Sequence, residues 1–260
     1  MSGKVHNVRC ILAILASAIP LLPCPPQRGF VESRAVRFYS TEYTSSPMTE
    51  LLSPAKALIF RITHVNNVQW ILANGLHCSS SGQSDLNYTP IGNAEIITRR
   101  ARRIVPIAPG GTLADYVPFY FTPYSPMLLN IKTGRNGVTQ RSMSEIAILV
   151  SSLPELQRQA VPFVFTDRHA VLEPAEFHNT LDRLDRIDWP RLQSRDFKRD
   201  PDDPGKFERY QAEALVHTHV PIAAILGIIC YRPEEQTKIE TNCGILGLTT
   251  KVLCRPGWYF

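Results

Sequence analysis

The sequence lacks the short motifs that many nucleotide-binding and metal-binding enzymes carry. No GxGxxG follows the first predicted strand, and no GxxxxGK[ST] occurs in the 260 residues, which excludes the usual dinucleotide-binding and P-loop signatures. APGG at 108–111 is by itself a turn. His217 and His219 have no third ligand at a suitable spacing, so the sequence predicts no metal site.

Paired cysteines are also missing. The chain has six cysteines, and no two of them form CxxC. We therefore predict neither a zinc site nor a disulfide framework, and we interpret the thiols as those of a reducing compartment.

The excess of positive charge is small. The formal net charge is +5, and residues 1–47 account for +3 of it through five basic and two acidic side chains. Because the remaining chain carries only +2, bulk charge says little about nucleic-acid binding, and local clusters have to supply that evidence.

The first 47 residues contain the apolar run CILAILASAIPLLPC at 10–24 behind Lys4 and Arg9. This is the layout of a secretory signal. The run is short and is broken by Pro20, so it does not predict a membrane span, and we expect no stable membrane contact.

The extension has two interpretations. Residues 1–24 are a true signal and the protein is exported, or the start codon is assigned too early and Met48 opens the protein. We favour the second, since the remaining chain reads as intracellular. The predicted organisation is an unstructured extension over 1–47 and one cytoplasmic domain over 48–260.

Short apolar segments predict a fold of class α+β with a split, mostly antiparallel core. The predicted strands are 57–65, 117–121, 126–134, 145–152, 161–167 and 210–217. The predicted helices are 66–76, which ends at Gly75, the first half of 93–107, and 174–187, with Phe177, Leu181 and Leu184 on one face. Residues 188–206 are predicted to be a long exposed loop.

One carboxylate stands out in the predicted strand YQAEALVH at 210–217. Glu213 interrupts a run of small and apolar residues. A strand with one exposed face carries such a residue for solubility, whereas a Glu at the edge of a cleft meets developing positive charge or takes a proton.

Two further clusters have both a structural and a functional interpretation. On a helix, Arg99, Arg102 and Arg103 share a face and Arg100 points elsewhere; the group is a solvated basic face or a phosphate site. The aromatic residues of 116–124 belong to the core or form a stacking surface.

Together these segments resemble the DarT family of toxins that ADP-ribosylate DNA. The similar blocks, in order, are RITHVNNVQWILANGL, IGNAEIITRRAR, PGGTLADYVPFYFTPYSPML, PFVFTDRHAV, QAEALVH and RPGWYF. They extend over about 57–260. The resemblance implies an ADP-ribosyltransferase-like split β-sheet core with flanking helices and a central cleft for NAD+.

The resemblance also implies the site residues. The catalytic glutamate of the family falls on Glu213 and its key arginine on Arg100. The segment that contacts NAD+ reads RITH here, so Arg61 replaces the family's first histidine and cannot accept a hydrogen bond as that histidine does. The residues expected to bind NAD+ are Arg61, Thr63, His64, Gly75, Arg100 and Tyr120. Phe119, by its placement, is a second candidate beside Tyr120 for packing the nicotinamide.

The loop 188–209 leads directly into Glu213 and is expected to contact the acceptor, so it is called the acceptor loop. Its cations are Lys198, Arg199, Lys206 and Arg209, and a mixed-charge solvated loop is the alternative interpretation. The implied acceptor is a base in single-stranded DNA, where its edge is exposed, and the resemblance favours thymidine. The implied partner is a macrodomain antitoxin, and the toxin is expected to be a monomer that uses NAD+ and no metal.

Two other functions stay open. The chain could retain the NAD+ chemistry but modify RNA or protein. Alternatively, it could be a catalytically impaired homologue that binds nucleic acid, its cofactor pocket altered by Arg61.

Overall fold

The computed structural model describes residues 48–260, so the predictions for the extension 1–47 lie outside the described residues. The helices are α1 (Met48–Leu51), α2 (Val68–Asn74), α3 (Ala94–Arg100), α4 (Pro126–Thr133), α5 (Leu153–Arg158), α6 (Trp189–Ser194), α7 (Lys206–Arg209) and α8 (Pro233–Ile245). The strands are β1 (Leu58–His64), β2 (Leu76–His77), β3 (Tyr116–Tyr120), β4 (Ile146–Ser152), β5 (Phe163–Thr166), β6 (Phe177–His178), β7 (Glu213–His217), β8 (His219–Val220), β9 (Gly227–Cys230) and β10 (Lys251–Cys254).

Eight strands form one sheet in the order β10-β9-β4-β1-β3-β7-β5-β6, and β2 pairs with β8 apart from it. Its neighbouring strands are antiparallel except β9 and β10, which are parallel. All seven residues of β4 are buried, and β1 is buried except at Arg61, which is half-buried. The apolar runs of these two strands therefore form the centre of the core.

The sheet is nearly divided between β1 and β3. β1 pairs with β4 along its whole length, and β3 pairs with β7 from Tyr116 to Tyr120. In contrast, β1 and β3 meet only where Phe60 lies opposite Tyr120. The predicted α+β fold with a split, mostly antiparallel core is confirmed, and the split lies at this junction.

Several predicted elements are confirmed with small shifts of their ends. The strand predicted over 57–65 is β1, and the helix over 66–76 is a 3-10 turn followed by α2. Gly75 ends α2 with φ of 78°, and a Cβ there would overlap the His219 ring and the Val220 carbonyl oxygen. Glycine is therefore required at 75 both for backbone conformation and for close packing.

The strand predicted over 126–134 is wrong, since these residues form α4. Ser125 caps this helix by accepting from the Leu128 N–H, Pro126 stands in its first turn, and Gly134 ends it in the left-handed conformation. These are standard helix start and stop residues, and they outweigh the apolar run that suggested a strand.

The helix predicted over 174–187 is also wrong. Phe177 and His178 pair with β5 as β6, and only Leu181–Arg186 coils, as a 3-10 helix. Because Phe177 and His178 pair with β5 at the edge of the sheet, this part of the segment is extended and not helical.

The loop predicted over 188–206 contains α6 as well. Asp188 caps α6, Pro190 lies in its first turn, and Trp189 and Leu192 are buried. The loop is therefore partly packed against the core. Helix α8 was not predicted from the sequence.

Candidate active site

A cleft of about 400 Å³ opens beside β1 and β3, a size within the range of small-molecule sites. Its walls come from β1, α2, the loop 78–88, α3 and β3. Side chains that line it include Arg61, Thr63, Trp70, Tyr88, Arg100 and Tyr116.

Arg100 and Glu213 form a buried ion pair. The Nη1 atom of Arg100 lies 2.7 Å from Oε2 of Glu213, and the two side chains are 12% and 3% exposed. Arg100 is the last residue of α3 and Glu213 the first of β7, so the ends of two distant elements bring the pair together. The predicted helix face shared by Arg99, Arg102 and Arg103 is not formed, because α3 ends at Arg100. Arg103 lies beyond the helix and bonds the Glu173 carboxylate and the Leu172 carbonyl.

The other oxygen of Glu213 is held by the loop that follows β5. His169 Nδ1 lies 2.8 Å from Oε1, and the Ala170 N–H donates to the same atom at 3.1 Å. Sequence reasoning missed His169, although it lies in the similar block PFVFTDRHAV. No spacing relates it to Glu213, since the two meet only through the fold.

These contacts keep Glu213 ionised. Burial by itself raises the pKa of its carboxyl, but the charges and hydrogen bonds of Arg100 and His169 outweigh burial and lower the pKa to about 2. A fixed, buried negative charge is suited to stabilising positive charge that develops on a ligand.

Arg61 spans the split in the sheet. Its Nη1 donates to the Pro118 carbonyl oxygen at 2.9 Å, on the strand from which β1 has separated. Burial lowers the pKa of its guanidinium from the ordinary value.

Unused donors remain in the cleft wall. Arg61 Nε and Arg100 Nη2 are both buried and have no hydrogen-bond partner. Buried donors normally have partners. The two guanidinium groups can therefore donate hydrogen bonds to oxygen atoms of an anionic ligand.

The remaining predicted NAD+ residues occupy different places. Thr63 lines the cleft and accepts from Asn67 Nδ2 at 3.2 Å. His64 points elsewhere: its Nδ1 accepts from the Asn66 N–H, and its Nε2 lies 3.5 Å from Glu145. Gly75 packs against β8. His64 and Gly75 are not among the described residues that line the cleft.

Tyr120 and Phe119 are neighbours on β3 but have different surroundings. Tyr120 lies opposite Glu213 in the β3–β7 pairing, and burial, followed by the Glu213 charge, raises the pKa of its hydroxyl. Phe119 is 1% exposed and belongs to the core. Neither residue is among the described residues that line the cleft, but Tyr120 is the one that lies opposite Glu213.

The four predicted acceptor cations fall into two pairs. Lys206 is buried with its Nζ 2.6 Å from Asp196, and Arg209 bonds Asp203 at 2.6 Å. Lys198 and Arg199 are exposed. The first pair holds the loop together, and the second pair is accessible to a ligand.

Over residues 48–260, no three side chains of His, Cys, Asp or Glu are grouped as metal ligands would be. In the same range, no helix is long and apolar enough to cross a membrane. The expectation that no metal takes part stays a prediction.

Comparison with known proteins identifies the family. Residues 60–260 match the family described as ssDNA thymidine ADP-ribosyltransferase, DarT. This chain belongs to the DarT family. A DNA ADP-ribosyl transferase of Escherichia coli O127:H6 is 54% identical over 209 residues, which are 80% of this chain and 96% of that protein.

Solved DarT structures share the fold. DarT of Thermus sp. 2.9 in complex with ADP-ribosylated ssDNA superposes with a TM-score of 0.73 and 34% identity, covering 80% of this chain and 98% of that chain. The same DarT in complex with NAD+ gives a TM-score of 0.69 and 32% identity, covering 79% and 98%. The predicted family, fold and enzyme class are confirmed: an NAD+-dependent DNA ADP-ribosyltransferase of the DarT toxin type, acting on thymidine in single-stranded DNA.

Proposed function

We propose that Glu213 and Arg100 are the catalytic residues of this DarT chain and that the cleft beside β1 holds NAD+ as the substrate. The observation that carries the proposal is the buried 2.7 Å ion pair between them. Arg100 also lines the cleft, so the pair connects the ligand-sized space to a fixed negative charge.

The reaction breaks the bond between the ribose C1′ and the nicotinamide nitrogen, and its electron pair leaves with nicotinamide. The ribose then carries oxocarbenium-like positive charge. We assign Glu213 to hydrogen-bonding this ribose and stabilising that charge, with His169 and Ala170 holding the carboxylate in place. Arg100 fixes the other carboxylate oxygen and offers its free Nη2 to the diphosphate.

Attack by the acceptor base completes the reaction. The thymine ring nitrogen that bears a hydrogen forms the new bond to C1′ and loses its proton. Because that nitrogen is positively charged once the bond forms, even a carboxylate of low pKa can take the proton. Glu213 is therefore the proposed proton acceptor.

Three of the proposed NAD+ contacts line the cleft, namely Arg61, Thr63 and Arg100. We also assign Tyr120, which lies opposite Glu213 in the β3–β7 pairing, to contact with the nicotinamide. His64 and Gly75 act from behind the wall: His64 accepts from the Asn66 N–H ahead of α2, and Gly75 lets β8 approach.

For DNA, we assign Lys198 and Arg199 to the strand backbone. The expectation that Lys206 and Arg209 contact nucleic acid stays a prediction, and their ion pairs favour holding the loop in shape. The proposed partner is a macrodomain antitoxin that removes ADP-ribose. The toxin is proposed to be a monomer acting in the cytoplasm, with no stable membrane contact, and 48–260 is proposed to form one DarT-like ADP-ribosyltransferase domain.

The deciding experiment uses labelled NAD+ with single-stranded oligonucleotides that contain or lack thymidine, and with RNA and protein. Glu213→Gln keeps the side-chain shape and removes the charge, and we expect transfer to fall about 10²- to 10³-fold. Glu240→Gln, on the exposed face of α8, is the matched control and should keep wild-type activity. Label on RNA or protein in place of DNA would contradict the acceptor, and full activity in Glu213→Gln would contradict the catalytic assignment.

A further inference from the structure

The segment 255–260 closes against the core. The Tyr259 hydroxyl lies 2.9 Å from the carbonyl oxygens of both Ile146 and Ile229, and Trp258 packs edge-on against Phe60 at 5.7 Å between ring centroids. Tyr259 is buried. The position of Phe260, the next residue, is therefore fixed by the two central strands β1 and β4 and by β9.

Phe260 reaches from this fixed segment to the acceptor loop. Its ring centroid lies 6.0 Å from that of Tyr124 and 6.0 Å from that of Phe197, edge-on in both pairs. Phe197 in turn packs on Tyr210 at 4.9 Å. Phe197 directly precedes Lys198 and Arg199, the exposed cations of the loop.

The same cluster continues to the catalytic strand. Tyr210 is fully buried, donates to the Tyr124 carbonyl oxygen at 3.1 Å and stands three residues before Glu213. Tyr124 donates to the Gly257 carbonyl oxygen at 2.5 Å, and the Arg195 guanidinium carbon lies 3.7 Å from the centre of its ring. The aromatic cluster is defined as Tyr124, Phe197, Tyr210 and Phe260.

We propose that Phe260 and Phe197 are positioning residues for the DNA acceptor. Through the aromatic cluster, they hold the segment 195–199 at a fixed place relative to Glu213. None of the four cluster residues lines the cleft, and two of them, Phe197 and Tyr210, lie in the segment between α6 and Glu213, so we assign the contribution of the cluster to the acceptor. The inference rests on the proposed function, in which this loop contacts DNA.

The test separates transfer from hydrolysis. NAD+ hydrolysis by water uses the cleft, Glu213 and Arg100 but not the acceptor loop. In Phe260→Ala and in Phe197→Ala we expect the KM for a thymidine-containing oligonucleotide to rise about three- to tenfold, on the scale of one or two aromatic contacts. The rate of NAD+ hydrolysis and the KM for NAD+ should stay at wild-type values.

Two further variants make the result specific. Tyr231→Ala removes an aromatic contact to the same segment at Tyr259, 5.3 Å between ring centroids, away from the loop; it should leave the KM for DNA unchanged. Phe260→Tyr keeps the ring and should restore the KM for DNA. Thermal unfolding of all variants records the loss of packing.

Each outcome decides the proposal. A selective rise in the KM for DNA, rescued by Phe260→Tyr, supports it. Equal losses of transfer and hydrolysis, a similar effect in Tyr231→Ala, or no effect in either alanine variant would overturn it. A wild-type protein that hydrolyses NAD+ without labelling DNA would instead refute the proposed acceptor, which distinguishes the two failures.

Discussion

Three groups converge on the carboxylate of Glu213. Its charge would be costly if it were buried alone. The guanidinium of Arg100 and the contacts from His169 and Ala170 compensate it. The carboxylate is thus held ready before any ligand binds, which favours electrostatic stabilisation of a transition state.

This compensation predicts an acid dependence of stability. The pKa of Glu213 falls from 4.5 in the unfolded chain to about 2 in the folded one, so its contribution is present above pH 4.5 and is lost as the pH falls through about 2. That contribution is of order 3 kcal/mol. Between pH 5 and 2, the wild type should therefore lose more unfolding free energy than Glu213→Gln, as measured by urea titration at several pH values. Parallel curves for the two proteins would contradict the assignment.

Arg61 makes a hydrogen bond across the split in the sheet and keeps one free donor in the cleft. Two substitutions together separate these contacts. Arg61→Met keeps an unbranched apolar side chain but removes the bond to the Pro118 carbonyl and the free donor in the cleft. We expect a loss of about 1–2 kcal/mol in unfolding free energy and a higher KM for NAD+, measured by urea unfolding and steady-state kinetics.

Arg61→His introduces the residue expected for the family at this position. A ring is too short to reach Pro118, so stability should fall as in Arg61→Met while NAD+ binding is partly retained. Full retention of stability in both variants would show that the bond across the split contributes nothing.

At the scale of elements, the acceptor loop is held in place by ion pairs between its own side chains. Lys206 pairs with Asp196 and Arg209 with Asp203, while Lys198 and Arg199 stay exposed. Four cations that look equivalent in sequence therefore fall into two pairs, one engaged in ion pairs and one exposed. Burial distinguishes the two pairs, and no sequence spacing does.

The two pairs should respond differently to salt. Replacing Lys198 and Arg199 together by Ala should weaken binding to a single-stranded oligonucleotide and lower the slope of log K against log salt by about 0.7 for each lost phosphate contact. Lys206→Met should leave that slope unchanged while making the loop easier to cleave by protease, since Asp196 loses its buried partner. Equal slopes in all three proteins would remove Lys198 and Arg199 from the DNA surface.

For the whole molecule, the split between β1 and β3 sets the position of the cleft. Strands β10, β9, β4 and β1 lie on one side and β3, β7, β5 and β6 on the other. The junction at Phe60 and Tyr120 and the Arg61 bond to Pro118 connect them. A ligand that touches both sides should therefore stabilise the fold as a whole.

That expectation is measurable by thermal unfolding. A non-hydrolysable NAD+ analogue, at one fixed concentration equal to one hundred times its Kd for the wild type, adds about 2.7 kcal/mol to the unfolding free energy of the wild type. For a domain of this size this raises Tm by roughly 5–10 °C. Glu240→Gln should show the same rise, and Arg61→Met a smaller one. Identical rises in Arg61→Met and wild type would exclude contact between Arg61 and the ligand.

The sequence predicted the strands that alternate or run apolar, such as β1, β4 and β7, and through the family blocks it named Glu213 and Arg100, which the structure brings together in an ion pair. It failed where local capping competes with an apolar run, as in α4, and where edge pairing replaces a helix, as at Phe177. His169 was not predicted because its contact with Glu213 spans distant parts of the chain. Phe119 and Tyr120 are neighbours in sequence, and only their opposite faces in the sheet assign one to the core.

Substitutions at Gly75 should inactivate the protein by preventing it from folding. Any added side chain at 75 meets the ring of His219 and the backbone of β8 in a conformation that disfavours L residues. In a library of random codons expressed without an antitoxin, surviving colonies should carry changes at this codon about as often as at the codon for Glu213, the proposed catalytic residue. The first class would yield little folded protein, and the second would yield abundant but harmless protein.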